Sequence, residues 1–513
     1  MRKTQPGVKL CFVILFFLHE PLLAQVDSSR HISVLNEVVV TGQYRRQALK
    51  QSVYQVRVIS KEQIQKQAAV KLQDVLAMQL DIRFSPDLST GGSDISMLGL
   101  SGQNVKILID GVPMTGRTGT SNQIDINQVD INAIEKIEIV EGPMSVIYGA
   151  DALGGVINII TTKPAKGTIA VTARLQEETV GREYGFSEGI HNQYISIAGT
   201  HKNWYASGAI GRNLFNGWKD SAVGRELIWH QKDQIVGNAL LGYKTDRLNI
   251  YYRLDGLDEI ISNPENPQPP QPGIDQDYMS DRLMQQIQAT YNLSERWFGN
   301  SQISYTHFTR QVYSTLYFPD GSVKAATAPW LQSTAGFDGY NFRSAVTYRP
   351  SAVVSFQPGI DLQGETGEGE RIKSERQNIR DYAFYITSEI SAAENIKIRP
   401  GLRFINNSVY DAPPVIPSLN VMMGLSKSFD LRLAYANGFR APSLRELYYD
   451  FFDASHQIQG NPNLKAETSN SFTGSLTYNK VSNSKSSLNI LFSVFYNNVK
   501  NLISYAVDVT GTE

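Results

Sequence analysis

Polar and apolar residues alternate along much of the chain after residue 167. In Leu248–Asp255 the even positions are Leu, Ile, Tyr and Leu, whereas the odd positions are Asn, Tyr, Arg and Asp. The same alternation recurs in Ile396–Phe404, Phe429–Ala436 and Leu488–Asn497. Because successive side chains of a strand point to opposite faces, each segment predicts a β-strand with one apolar and one polar face. A single such strand also fits a soluble β-sandwich, but recurrence at this length favours a transmembrane β-barrel with a polar lumen.

The predicted connections between these strands alternate between short and long. Tight turns are expected near Lys202, Thr245, Pro350, Glu394 and Lys427, and long loops over 215–232, 257–280, 313–338 and 438–467. The proline-rich segment Asn263–Gly273 predicts an extended outer loop, because proline cannot donate to a strand ladder. Short turns on one side and long loops on the other are typical of an antiparallel outer-membrane barrel. The count gives about fifteen strands.

A smaller α/β unit is predicted before the barrel. Three β-branched runs, Ile107–Ile109, Ile137–Val140 and Val156–Ile160, are bounded by Asp-Gly, Gly-Pro and Gly-Gly pairs. They predict buried strands of a compact mixed sheet. Ser60 and Gln63 have the spacing of a capping box at the start of a helix. The apolar stripe of a second helix is predicted at Leu72, Val75, Leu76 and Leu80.

The first residues predict a secretory signal peptide over 1–24. Three cations precede the apolar run Leu10–Leu18, and Leu22–Ala24 offers a cleavage site. This run has about half the length that a helix needs to cross a bilayer. Cys11 is the only cysteine, so the exported chain is expected to contain no thiol for a disulfide, a metal site or catalysis.

Composition narrows the class of protein further. The net charge of −1 and the dispersed charged residues give no basic surface for nucleic acid, so we predict no nucleic-acid partner. After the predicted signal, the sequence has no run of 18 apolar residues, so no transmembrane helix is expected. The 25 Tyr and 21 Phe residues are spread through the alternating segments, as in membrane barrels. We predict no cofactor.

The stretch Lys106–Thr162 carries an ordered series of turn motifs. It contains DGVP at Asp110–Pro113 and the series EGP, YG and GGVINI between Glu141 and Ile159. Together with its flanks, Tyr44–Pro164, it resembles the plug domain of TonB-dependent outer-membrane receptors. The resemblance implies a mainly β fold with an N-terminal α/β plug domain (44–165) inside an antiparallel transmembrane β-barrel (167–513).

Barrels of this family have 22 strands, so about fifteen would make a C-terminally incomplete barrel. Two open sheet edges would then leave unpaired backbone groups in lipid, and we expect such a chain not to insert. The family also often has Arg before the Gly-Leu turn of the plug, whereas Met97–Leu100 has none. Any ion pair from the plug to the barrel at that position is therefore in doubt.

A short β-prone run lies between the predicted signal and the plug. Its residues are Glu37, Val38, Val39, Val40 and Thr41. Such a segment can add as a strand to the sheet edge of a partner, although an ordinary first strand of a domain has the same pattern. The resemblance identifies it as the TonB box, within a periplasmic segment over 25–43. The implied partner is TonB with its inner-membrane energising complex.

One predicted outer loop carries two motifs that bear on the ligand. Gly438–Pro442 (GFRAP) and Asn461–Leu464 (NPNL) resemble boxes of haem receptors, but many siderophore and cobalamin receptors have similar sequences. Between them, His456 could be an axial ligand of haem iron or an exposed loop residue. Arg440 could contact ligand or only position the loop.

Aromatic and basic residues complete the predicted ligand site. Tyr448 and Tyr449 could stack on a flat or catecholate ligand, or anchor the loop at the membrane rim. The resemblance implies that plug loops near Asp87–Ser93 and Thr115–Asn122 touch ligand. Arg117 is the only cation in them, and a solvated loop arginine is the alternative. The predicted ligand-binding residues are therefore Arg117, Arg440, Tyr448, Tyr449 and His456, with no metal site beyond the axial-ligand option.

These features favour an outer-membrane receptor of a Gram-negative bacterium. Its ligand would be a scarce metal chelate (a ferric siderophore, haem or cobalamin) imported into the periplasm with energy delivered through TonB. The alternative is a porin-like channel or adhesin barrel without TonB coupling, which predicts neither a plug nor a TonB box. No enzyme is predicted, because no arrangement of Ser, His and Asp suggests a catalytic site.

Overall fold

A computed structural model of the chain describes most of the residues after 37. The described ranges are 38–87, 91–117, 122–167, 169–179, 188–219, 224–328, 331–452, 457–483 and 486–506. The predicted signal peptide, Glu37 and His456 lie outside these ranges, as do parts of both predicted apex loops of the plug.

The N-terminal part contains ten strands and three α-helices among its described residues. The strands are β1 (Val38–Val39), β2 (Gln47–Ala48), β3 (Val56–Ser60), β4 (Ile82–Asp87), β5 (Gly92–Met97), β6 (Leu100–Ser101), β7 (Val105–Ile109), β8 (Val112–Pro113), β9 (Ile134–Glu141) and β10 (Gly155–Thr161). The helices are α1 (Lys61–Lys66), α2 (Leu72–Leu76) and α3 (Ser145–Tyr148).

Five of these strands form the central sheet of the plug, in the order β3-β9-β10-β7-β8. Strand β10 is parallel to β7 and antiparallel to β9, so the predicted mixed sheet is confirmed. All five residues of β7 are buried, as expected for an apolar strand covered on both faces. The three predicted β-branched runs lie in β7, β9 and β10.

The start of helix α1 is as the sequence predicts, whereas helix α2 is shorter than predicted. Ser60 accepts from the backbone N–H of Gln63 and the Gln63 side chain returns the contact, so the capping box is confirmed. Helix α2 buries Leu72, Val75 and Leu76. The prediction for Leu80 is wrong: the helix ends at Leu76, and Leu80 is 98% exposed. A turn leads from α2 into β4, so the helical period does not reach this leucine.

The remaining described strands and one helix follow from residue 169. The strands are β11 (Ile169–Glu178), β12 (Ile190–His201), β13 (Trp204–Phe215), β14 (Gln231–Lys244), β15 (Leu248–Asn263), β16 (Gly273–Asn292), β17 (Trp297–Tyr317), β18 (Val323–Ala325), β19 (Gln332–Tyr348), β20 (Val354–Gly369), β21 (Arg376–Ala393), β22 (Ile396–Asn407), β23 (Val415–Gly424), β24 (Phe429–Arg440), β25 (Asp450–Phe452), β26 (Gln457–Gln459), β27 (Glu467–Asn483) and β28 (Ser486–Lys500). The helix is α4 (Leu444–Tyr448).

These strands build one large antiparallel sheet around the plug. Each strand pairs with its neighbour in the sequence from β11 to β28, apart from the short β25–β26 pair, and β18 joins only β17. Fifteen strands therefore follow one another in the sheet, which agrees with the sequence count. The predicted faces are also confirmed: Arg253 is 2% exposed on the inside, whereas its outward neighbour Tyr252 is 40% exposed.

The tight turns occur where they were expected, but several long loops are shorter than predicted. The sequence 257–280 was predicted to be a loop, yet most of it belongs to the β15–β16 hairpin, with Leu257 opposite Arg282. Strands β17 and β19 likewise take up both ends of 313–338. Outward-facing polar residues such as Asp258 and Asp281 explain the error, because they interrupt the apolar face while the backbone pairing continues. No helix among the described residues is long and apolar enough to cross a membrane.

Candidate functional site

A cavity of about 120 Å³ lies between one end of the plug and the barrel wall. This is the end from which the long connections emerge, and we call it the outer end. The cavity is lined by the plug, by residues of β17, β19, β20 and β21 that include Glu365 and Asp381, and by the loop after β24. The plug and loop residues that line it include Lys106, Thr115, Arg117, Asp151, Ala441 and Ser443.

Three charged plug residues meet at the floor of this cavity. Arg117 Nη2 lies 2.7 Å from Asp151 Oδ2, and Lys106 Nζ lies 4.0 Å from the same oxygen. Burial lowers the pKa of Lys106, and the attraction of Asp151 opposes this shift. Asp151 Oδ1 is buried and has no hydrogen-bond partner among the described residues. The group therefore offers two cations and one free carboxylate oxygen to a polar ligand.

The loop after β24 is attached to the plug beside these residues. Asn122 Nδ2 donates to Ser443 Oγ at 2.7 Å, and the backbone N–H of Asp151 donates to the carbonyl of Phe439 at 3.1 Å. Ser443 also caps α4 in a capping box with Glu446. The structure thus brings Arg117 and the GFRAP segment to one cavity, although they are more than 300 residues apart in sequence.

Arg440 itself does not line this cavity. Its side chain is 0% exposed, with Nη1 2.9 Å from Glu446 Oε2 and Nη2 2.7 Å from Glu467 Oε1. Two carboxylates on one guanidinium tie β24, α4 and β27 together. The arrangement matches the positioning role that was the alternative for Arg440, and contact with ligand stays a prediction.

The two tyrosines pack against the barrel and its loops instead of lining the cavity. Tyr448 is partly buried beside a cluster that contains Phe308, Phe337 and Ile372. The Tyr449 hydroxyl accepts from Arg371 Nη1 at 3.3 Å, and Arg445 lies over its ring at 5.0 Å. Their role in ligand binding, like that of His456, stays a prediction. The described residues contain no cluster of three or more His, Cys, Asp or Glu side chains arranged to hold a metal ion.

The predicted TonB box packs on the central sheet of the plug, toward the short turns of the barrel, where Lys50 Nζ donates to the Lys427 carbonyl at 3.1 Å; we call this side the inner end. Val38 and Val39 form β1 and pair with β2, and the Val39 side chain is buried in a plug core cluster. The backbone N–H groups of Val40 and Thr41 donate to Glu138 Oε2 at 3.0 and 2.7 Å. Asn158 Nδ2 donates to Thr41 Oγ1 at 2.8 Å.

The residues that follow the box are bonded to both plug and barrel. The Gly42 N–H donates to the Tyr148 hydroxyl at 3.0 Å, and Arg399 Nη1 donates to the Gly42 carbonyl at 2.6 Å. Burial raises the pKa of Tyr148 to about 12, so this hydroxyl stays protonated near neutral pH. Arg399 also pairs with Glu389 and lies over the ring of Tyr44 at 4.4 Å.

Helix α3 lies between the box and the cavity, since it carries Tyr148 and leads within three residues to Asp151. Gly149 between them has φ +77°, and a Cβ there would lie 2.9 Å from Arg403 Nη2. With ψ −146° as well, the backbone here lies in a region that essentially only glycine adopts. The YG pair of the motif is thereby explained by its packing.

Sequence reasoning missed the residues that form both ends of the plug. Lys106, Asp151 and Glu138 all lie in the stretch that resembles a plug, but the turn motifs alone gave them no role. For Glu138 a signal existed: it is a carboxylate in the middle of the buried run of β9, at 0% exposure, where a charge requires a partner.

Comparison with known proteins decides the family. Residues 228–513 match the model described as "TonB dependent receptor-like, beta-barrel", and residues 48–156 match "TonB-dependent Receptor Plug Domain". The chain belongs to the TonB-dependent receptor family.

The receptor is also similar to individual relatives. It is 31% identical over 160 residues to the vitamin B12 transporter BtuB of Vibrio vulnificus strain CMCP6, a match that covers 31% of this chain and 26% of that protein. Its fold is similar to a variant of the ferric enterobactin receptor PfeA of Pseudomonas aeruginosa (TM-score 0.71, 17% identity, 88% of this chain and 72% of that one). The siderophore receptor PirA of Acinetobacter baumannii gives a TM-score of 0.69 at 19% identity, covering 90% of this chain and 73% of that one.

Proposed function

We propose that this receptor binds a scarce metal-chelate ligand at the outer membrane and imports it into the periplasm with energy delivered through TonB. The observation that carries the proposal is the plug itself, which has a polar cavity at its outer end and the Val38–Thr41 segment packed at its inner end. Ligand entry and energy input are thereby assigned to opposite ends of one domain. Outer-membrane lipid would surround the outward apolar face of the strands.

The ligand class is proposed from the chemistry of the cavity together with the relatives. The printed names of the relatives refer to vitamin B12, ferric enterobactin and siderophores. A cavity with Lys106, Arg117 and the free oxygen of Asp151 suits a ligand rich in hydrogen-bonding oxygen and nitrogen atoms. Ferric siderophores and cobalamin have such atoms, and haem has them on its propionates.

Ligand capture by the purified receptor tests this proposal. The receptor in detergent would be incubated separately with haem, cobalamin and ferric siderophores, then separated from free ligand. Bound haem would be read by visible absorption, and the other ligands by mass spectrometry. Capture of one class with a one-to-one ratio is expected, and failure to capture any of the three would contradict the proposal.

The proposal that His456 is an axial ligand of haem can be tested separately. If haem is the captured ligand, His456→Ala should change the absorption of the complex, because an axial ligand sets the electronic state of the iron. An unchanged spectrum with unchanged capture would show that His456 is not an axial ligand.

A further inference from the structure

Backbone groups attach much of the TonB box to the plug. Both N–H groups that donate to Glu138, those of Val40 and Thr41, belong to the main chain. Lys136 lies on β9, the strand that carries Glu138. Its Nζ donates to the Val38 carbonyl and pairs with Glu138 Oε1 at 2.7 Å. One ion pair on β9 therefore occupies a backbone acceptor and two backbone donors of the box.

These groups are the ones that strand addition requires. A strand that joins a sheet edge exchanges N–H and C=O bonds with its neighbour through alternate residues. The Val38 carbonyl and the Val40 N–H are such an alternate pair. While Lys136 and Glu138 hold them, a strand from another protein cannot bond to the same edge of the box.

The attachment of the TonB box to the plug is strong because Glu138 is buried. Glu138 is 0% exposed, and hydrogen bonds to an ionised carboxylate are stronger than those between neutral groups. Lys136 compensates the buried charge, while Asn158 holds Thr41 Oγ1 from β10. Opening the box leaves this carboxylate without the two N–H donors that it has in the closed state.

We propose that Lys136 and Glu138 hold the TonB box by the same backbone groups that TonB would bind, so that the docked box and the TonB-bound box exclude each other. Glu138 is then a positioning residue that sets how much of the box is free before ligand arrives. The inference rests on the proposed function, which assigns the box to TonB.

Glu138→Gln tests this directly. The side chain keeps its size but loses its charge: its one carbonyl oxygen makes only neutral hydrogen bonds with the box, and its NH₂ group cannot pair with Lys136. The matched control is Glu135→Gln, which makes the same change at an exposed position of the same strand. Amide hydrogen exchange of Val40 and Thr41 reports the attachment, and binding of the purified periplasmic domain of TonB, without ligand, reports the consequence.

In Glu138→Gln we expect both amides to exchange at least about tenfold faster, because charged hydrogen bonds are lost. The apparent affinity for TonB should rise by a similar factor, because it scales with the fraction of open box. Glu135→Gln should match wild type. Unchanged exchange of Ile107 and Ile157 in the central sheet would show that the plug is still folded.

Wild-type exchange of Val40 and Thr41 in Glu138→Gln would overturn the inference. Faster exchange with unchanged TonB affinity would overturn the competition with TonB. If Glu138→Gln fails to fold, Lys136→Gln decides instead: it releases the Val38 carbonyl and should raise TonB affinity, and wild-type affinity would overturn the inference. A wild-type receptor that never binds TonB would contradict the proposed function, while amide exchange would still decide whether Glu138 holds the segment.

Discussion

The two ends of the plug differ in how completely their polar groups are bonded. At the inner end, both carboxylate oxygens of Glu138 are used, one by Lys136 and both by backbone N–H groups. At the outer end, Asp151 Oδ1 and Asn122 Oδ1 are buried without a hydrogen-bond partner among the described residues. Buried polar atoms without partners cost free energy. A ligand that bonds to these atoms would therefore stabilise the outer end, whereas the TonB box at the inner end must lose hydrogen bonds before it can bind a partner.

Under the proposed function, this difference lets one domain bind ligand at one end and TonB at the other. An incompletely bonded cavity binds a polar ligand at little cost, since few protein contacts have to break. A fully bonded segment stays closed until something supplies comparable free energy. Substitutions at the inner end should therefore affect stability more than substitutions at the outer end, which should mainly affect binding.

The largest effect is expected for Arg399→Ala at the inner end. Arg399 is buried and bonds to the Gly42 carbonyl and to Glu389. Removing one partner of a buried ion pair costs about 3–5 kcal/mol. The free energy of opening, measured by amide exchange in the central plug sheet, should fall by about that amount.

An exposed pair on the barrel is the control for Arg399. Arg212 and Asp233 lie 2.6 Å apart on the outward face, with side chains 48% and 38% exposed. Arg212→Ala should lower stability by no more than about 1 kcal/mol, as for other exposed pairs. Equal losses of stability in the two variants would contradict the prediction that bonds at the inner end contribute more to stability than exposed pairs do.

A titration of a buried carboxyl group in the plug should give the next largest effect. Burial raises the pKa of Asp130 to about 6 from 3.8, and Oδ2 has no hydrogen-bond partner among the described residues. The folded plug therefore binds this proton more tightly than the unfolded chain, and the stability from it is lost as pH rises from about 4 to 6. At about 1.4 kcal/mol per pKa unit, the loss is roughly 3 kcal/mol.

Asp130→Asn should remove this pH dependence, because the amide stays neutral and can still accept from the Asn132 N–H. The measurement is the difference in plug stability between wild type and variant at pH 4 and pH 7. The variant should be the more stable protein at pH 7 and close to wild type at pH 4. A constant difference would contradict the assigned pKa.

The smallest effect on stability is expected for Arg117→Ala at the outer end. Arg117 is partly exposed, and Lys106 still lies near Asp151 when it is removed. Stability should fall by less than in Arg399→Ala, whereas capture of the ligand should weaken about tenfold, as for the loss of one charged hydrogen bond. A variant with wild-type capture would show that Arg117 is a structural residue.

The barrel was predictable from sequence because its pattern is local. Residues 248–255 and 396–404 alternate with period two, so the inward direction of Arg253 and Arg399 follows from neighbours in the chain. The length of the hairpins was not predictable in this way. Polar outward residues such as Asp258 continue a strand beyond the apolar face, and only the pairing of β15 with β16 reveals it.

The site could be predicted only in part, because its contacts join distant residues. The sequence indicated Arg117 and the GFRAP segment separately, but the bond between Asn122 and Ser443 that unites them leaves no local signal. Arg440 shows the reverse case: the motif stood out in sequence, yet its guanidinium is bonded to Glu446 and Glu467. A motif indicates that a residue matters, whereas its partners decide what it does.

Deleting Glu37–Thr41 from the receptor in its own cells shows whether energy-dependent uptake needs this segment. Surface binding and energy-dependent uptake of the captured ligand would be measured side by side, with a deletion of residues 28–32 as the matched control. We expect binding to stay at the wild-type level and uptake to be lost, while the control deletion changes neither. Uptake that survives the loss of Glu37–Thr41 with unchanged binding would contradict coupling through this segment.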